Sequence, residues 1–332
     1  MKSTTKLTLL LMALPLGCGS QVGSSLGTNA VANGDPNSTG TQDPKKDGSD
    51  ASDGKSDSSD TGQPVMPIPT ATSDSGTPEP PKGDAGTATA PVPCLSSATM
   101  APGTTMNVML GTRQYLLHIG RAVTVGQAAP LVFSLHGLTM TPASMESMAR
   151  WDPLSDTEGF IVAGPAGIGT ANAWDLSGTK DFDLMKAVVE DVNAKACVDR
   201  KRIYSTGFSH GAFMTFANAC KLSTLFAAVA PHSGAGTCQD ASVRAMPIFT
   251  WHGDADQTVS YSSGKMSHDS WVMHDKCGAP TDFMIGTNKC QEWKGCTDNV
   301  PVKMCTIPGG GHMWSPDATK AIWEFFKPIT MP

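Results

Sequence analysis

Residues 202–220, "RIYSTGFSHGAFMTFANAC", constrain the fold of this 332-residue chain more than any other stretch. A β-branched, apolar run ends in Gly-Phe-Ser-His-Gly, and a helix-spaced segment follows at once. A strand can turn into a helix this abruptly only if the turning residue takes a strained backbone and its neighbours have no side chains to collide. Gly207 and Gly211 meet that need, and Ser209 is the residue projected at the turn.

The rest of the chain continues the alternation. Runs rich in Val, Ile and aromatic residues at 115–120, 131–137, 160–165, 226–234, 247–253 and 302–309 end in glycine or proline, and with 202–207 they predict strands. Helical spacing puts Leu184, Ala187, Val188 and Val192 on one face of 183–196. It does the same for Ala318, Ile322 and Phe325 in 315–327, which opens with Ser-Pro. Alternating units of this kind predict an α/β fold, a mostly parallel sheet with helices on both faces. Function in such a sheet gathers beyond the carboxyl ends of the strands, where Ser209 lies.

Three domains are expected. Residues 1–18, "MKSTTKLTLLLMALPLGC", have a lysine-bearing start and an apolar middle too short for a permanent membrane span, the shape of an export signal. Its ending resembles a bacterial lipoprotein signal with Cys18 as the lipidated residue, although Pro15 stands where leucine is usual; simple secretion with later cleavage is the other reading. Residues 19–93 are dominated by Gly, Ser, Thr, Asp and Pro, carry ten acids and four lysines, and lack aromatics, so they are expected to form a disordered tether. Residues 94–332 are the expected catalytic domain. With 20 acids and 18 bases that domain is near neutral, and no basic stripe with interleaved aromatics points to nucleic acid. Membrane contact is expected only through the lipid, and the oligomeric state is left open.

Eight cysteines, at 94, 197, 220, 238, 277, 290, 296 and 305, fall in that domain. An even number in an exported chain predicts disulfides, and no spacing fits zinc. The helix ending near Cys197 feeds the elbow strand and the helix leaving it runs back to Cys220, so these two are expected to pair. Cys277, Cys290, Cys296 and Cys305 crowd the segment before His312 and should brace it.

The elbow supplies a hydroxyl and aims the N–H of His210 into the space beside it, a nucleophile and an oxyanion donor for acyl transfer. Serine needs a base to take its proton and a carboxylate to orient that base. In chain order there follow "WHGDAD", with Asp254 and Asp256 after a strand, and "IPGGGHMW", with His312 on a glycine-rich loop before the last helix. The other histidines lack such a setting.

Taken together, "LHG", "VDRKRIYSTGFSHGAFMT", "LFAAVAPHSG", "WHGDADQTV" and "IPGGGHMW" resemble the polyhydroxybutyrate depolymerase and feruloyl esterase-like family of secreted α/β-hydrolases. The resemblance implies Ser209 as nucleophile, His312 as base and Asp256 as the acid, which leaves Asp254 a loop-capping or surface carboxylate. It also implies a second oxyanion N–H on Leu138 or Thr139. Two residues depart from the pattern: Ala212 stands where a second glycine is frequent, and His210 where small residues are common. Trp174 and Trp314 are candidate walls for a ring-bearing or sugar-linked acyl group, or else core residues. Neither metal nor organic cofactor is expected. The expected activity is that of an exported, lipoprotein-like serine esterase on feruloyl or acetyl esters of plant polysaccharide, with polyhydroxyalkanoates as the alternative. A binding protein that kept the fold without turnover, and a peptidase, are the readings from other classes.

Overall fold

The computed structural model describes residues 100–332. The expected signal (1–18), the lipidated Cys18 and the tether (19–93) lie outside the described residues. In chain order the elements are β1 (Thr105–Leu110), β2 (Arg113–Ile119), β3 (Ala129–Leu135), α1 (Pro142–Ala149), α2 (Trp151–Glu158), β4 (Ile161–Pro165), α3 (Lys180–Ala196), β5 (Val198–Phe208), α4 (His210–Lys221), β6 (Ala228–His232), β7 (Ile248–Gly253), α5 (Tyr261–His274), β8 (Pro280–Ile285), β9 (Asn288–Trp293), β10 (Val302–Ile307) and α6 (Ala318–Phe326). The strands form one sheet in the order β1-β2-β4-β3-β5-β6-β7-β10-β9-β8. From β4 to β10 neighbouring strands run parallel, while β1, β2, β8 and β9 pair antiparallel at the two edges.

Side chains of the central strands alternate between two cores. Leu131, Phe133, Ile161, Ala163 and Ile203 face one core with Val188, Val192, Met214 and Trp271 from α3, α4 and α5. Val132, Val162 and Tyr204 face the other with Met145, Trp151, Ile322 and Phe326 from α1, α2 and α6. The central strands are therefore buried on both faces, which is why they read as unbroken apolar runs. Each of the seven expected runs is a strand, and helices cover both faces as expected.

The cysteines near His312 brace the sheet beneath it. Cys290 and Cys305 sit opposite each other on β9 and β10 and are bonded. Cys277, after α5, is bonded to Cys296. The expected Cys197–Cys220 pair is corrected: Cys220 is bonded to Cys238, and Cys197 is held in a different disulfide. The reason lies in the loop after β6, which runs back along α4 in an extended path. A Cβ on Gly234 would lie 2.4 Å from that of Ala212, and one on Gly236 would lie 2.5 Å from that of Phe216. Two extended residues cover about the length of one helical turn, so the next step sets Cys238 beside Cys220.

At the junction of α1 and α2, Arg150 is left-handed (φ 56°) and its side chain makes no cap. Glu146 caps α2 instead, accepting the amides of Trp151 (3.1 Å) and Asp152 (2.9 Å). Burial, with the Asp152 charge beside it, pushes the Glu146 carboxyl up to about 8 from an ordinary 4.5. A carboxyl raised on folding favours the native state below its unfolded pKa and loses that contribution as pH rises through the folded one. Thermal denaturation from pH 5 to 8.5 should therefore show wild type losing stability relative to Glu146→Gln, which has no charge to bury. Parallel profiles would contradict this assignment.

Candidate active site

Ser209 stands between β5 and α4 with φ 53° and ψ −120°. That conformation is costly for a residue with a side chain, and the elements on either side impose it. The flanking glycines are required by contact: a Cβ at Gly207 would lie 2.5 Å from the Gly211 carbonyl oxygen, and one at Gly211 would lie 2.1 Å from that of Leu135. Because β5, β6, β7 and β10 are successive parallel neighbours, the loops leaving their carboxyl ends emerge side by side. One carries Ser209, the next but one Asp256, and the fourth His312.

The structure brings these three together. Ser209 Oγ lies 2.9 Å from His312 Nε2, and His312 Nδ1 lies 2.7 Å from Asp256 Oδ2. The other carboxylate oxygen, Oδ1, accepts the amides of Thr258 and Val259, each at 2.9 Å. Asp256 is only 6% exposed. Burial opposes its charge, but the bonds from His312, Val259 and Thr258 outweigh it and hold the carboxyl below its ordinary value. An anion fixed in this way keeps the proton of His312 on Nδ1 and leaves Nε2 free to accept from serine. Asp254 has the lesser role expected of it: exposed, it accepts the Gly309 amide at 2.6 Å and so ties down the loop that carries His312.

Two amides on the loops at the elbow have no protein acceptor among the described residues. Among the described residues neither His210 N–H nor Leu138 N–H donates to a protein acceptor, whereas Thr139 N–H is given to Ala171 O at 2.8 Å. Gly137, just before Leu138, lies so close to the elbow that a Cβ on it would be 3.4 Å from Ser209 Cβ. Its carbonyl accepts from His136 Nδ1 (2.8 Å) and the Met140 amide (3.1 Å). In a trans peptide the next N–H points the opposite way, so these bonds fix the direction of the Leu138 amide.

Trp174 and Trp314, expected either as pocket walls or as core residues, are only 4% and 7% exposed, which favours the core reading. Trp174 donates its indole N–H to His136 O (2.8 Å) and its amide to His210 Nδ1 (3.2 Å), tying the segment before α3 to the loop after β3 and to the start of α4. Trp314 donates to Thr319 Oγ1 and stacks on His232. Of the residues next to the relay in the chain, Leu138 and Met313 are exposed and His210 and Phe213 half-buried. His232 was missed: it is buried beside the relay, and the only hint in the sequence was its place at the end of a strand run.

A mostly parallel sheet of this order, with a serine elbow between strand and helix, defines an α/β-hydrolase fold. A profile described as phospholipase/carboxylesterase matches residues 177–284, a span that holds Ser209 and Asp256. The chain is 30% identical over 234 residues to the probable feruloyl esterase C of Aspergillus terreus, covering 64% of this chain and 83% of that one. It is 28% identical over 223 residues to the bifunctional acetylxylan esterase/xylanase of Neocallimastix patriciarum, covering 65% of this chain but spanning only 33% of that longer protein. The solved acetyl xylan esterase from Aspergillus awamori shares the fold, with a TM-score of 0.58 at 19% identity over 68% of this chain and 99% of that one. The chain belongs to the polyhydroxybutyrate depolymerase and feruloyl esterase-like family of α/β-hydrolases.

Proposed function

We propose that this protein is a serine carboxylic-ester hydrolase that works through an acyl-enzyme on feruloyl or acetyl esters of plant polysaccharide. The observation that carries the reading is the continuous relay from Ser209 Oγ through His312 to a buried Asp256, at 2.9 and 2.7 Å. His312 Nε2 takes the serine proton as Oγ adds to the ester carbonyl. The negative charge on the carbonyl oxygen is received by the amides of His210 and Leu138. Loss of one such donor typically costs roughly 3 to 4 kcal/mol of transition-state stabilisation. His312 then gives the proton to the departing alcohol, and water, deprotonated by the same imidazole, clears the acyl group and restores Ser209. Asp256 supports the imidazolium at each stage.

The acyl classes are supported by the relatives' names, acetylxylan and feruloyl esterases. The N-terminal sequence, whose residues 1–18 resemble an export signal ending at Cys18, adds an exported and lipid-anchored location to the proposal. Hydrolysis of methyl ferulate, acetylated xylan and polyhydroxybutyrate by the purified protein tests the substrate reading. Turnover of either of the first two is the expected result; activity on the polyester alone would overturn the preference for carbohydrate-linked esters.

A further inference from the structure

His232, the last residue of β6, takes no proton in the mechanism above, yet it bonds both to Ser209 and to the loop that carries His312. Its carbonyl accepts the Ser209 amide at 3.0 Å. Its Nε2 accepts the amide of Ser315, three residues beyond His312, also at 3.0 Å. Its ring stacks on Trp314 at 4.7 Å and 22°, and meets Phe208 edge-on at 6.0 Å. Phe208 in turn lies 4.7 Å from the His312 ring.

Because Nε2 is an acceptor, the proton of His232 sits on Nδ1, which donates to Ser233 Oγ at 3.1 Å. Ser233 holds a strained φ of 55°, and its amide is fixed to Trp251 O at 2.8 Å. The imidazole is fully buried. Burial first, then the facing His252 and His312, push its pKa down to about 3, with the Asp256 charge opposing weakly. It therefore stays neutral, and an acceptor, wherever the enzyme would work.

We propose that His232 is a positioning residue for this reaction, clamping the loop of His312 to the nucleophile elbow and so setting the distance across which the serine proton moves. The inference rests on the esterase reading. Ser315 is itself buried, so without His232 its amide would be left unpaired and the loop would have to move to recover an acceptor. A displacement of 1 Å at a reacting group can cost about a hundredfold in rate.

The test compares His232→Phe, His232→Gln and His232→Asn on p-nitrophenyl acetate, with kcat expressed per site labelled to completion by a fluorophosphonate. Phenylalanine keeps the stack and deletes the acceptor. Glutamine carries its oxygen to about the depth of Nε2; asparagine is too short to reach the Ser315 amide. The expected result is a fall in kcat of about a hundredfold for Phe and Asn with KM changed less than about threefold, and recovery of most of the loss in Gln. A residue that merely filled space would change the number of labelled sites and the Tm but leave kcat per site intact. If Phe fails to fold, the contrast between Gln and Asn carries the same decision. Full kcat per site in Phe or Asn, or equal loss in Gln and Asn, would overturn the role of His232. A wild type with no turnover of any ester would instead overturn the functional reading beneath it.

Discussion

His312→Ala should lower kcat on any ester the protein cleaves by about a millionfold, as expected when one member of an interdependent nucleophile–base pair is removed. The geometry gives the reason. Ser209 Oγ has one basic nitrogen beside it, His312 Nε2 at 2.9 Å. His252 and His232 are close in the fold, but both are buried, with His252 Nε2 on the Val259 carbonyl and His232 Nε2 on the Ser315 amide, and burial lowers the basicity of each. Among the described residues no other imidazole is hydrogen-bonded to Ser209 Oγ. Stopped assays on p-nitrophenyl acetate at high enzyme concentration reach this range. A residual rate within about a thousandfold of wild type would mean another base serves Ser209.

Asp256→Asn should cost about ten-thousandfold in kcat while leaving the fold intact. Asp256 Oδ1 accepts two amides, from Thr258 and Val259. In the variant the one carbonyl oxygen must stay with those donors, so the new NH2 group faces His312. The imidazole must then present Nδ1 as acceptor and carry its proton on Nε2, where it cannot receive another from serine. Asp254→Asn is the companion measurement. Asp254 only fixes the Gly309 amide, so its variant should keep kcat/KM within about tenfold of wild type. A larger loss at Asp254 than at Asp256 would reverse the assignment of the acid.

Much of this was legible in the sequence, and the failures have physical causes. The central strands were visible because burial on both faces makes their apolar runs continuous. The edge strands β1 and β8 were not, because they are mostly exposed and their composition is mixed. Helix α5 gave no apolar period, since Gly264, Ser267 and His268 share its buried face with Trp271. At the site, the order of serine, acid and histidine could be read from the loops. Spacing alone left Asp254 and Asp256 equivalent, and the family resemblance favoured the one that contacts His312. The partner of Cys220 depended on the path of an irregular loop along α4, which no local pattern encodes. The burial of Trp174 and Trp314 depended likewise on which loops close over them. His232 acquires its contacts only when the segment after His312 folds across β6.

The proposed function requires that His312 make Ser209 nucleophilic. Intact-mass analysis and peptide mapping of the protein after a timed pulse of a fluorophosphonate read this out. One adduct is expected, on the peptide containing Ser209, absent in Ser209→Ala and formed at least a thousandfold more slowly in His312→Ala. An adduct that persists in Ser209→Ala, or one that forms at the wild-type rate without the imidazole, would contradict it.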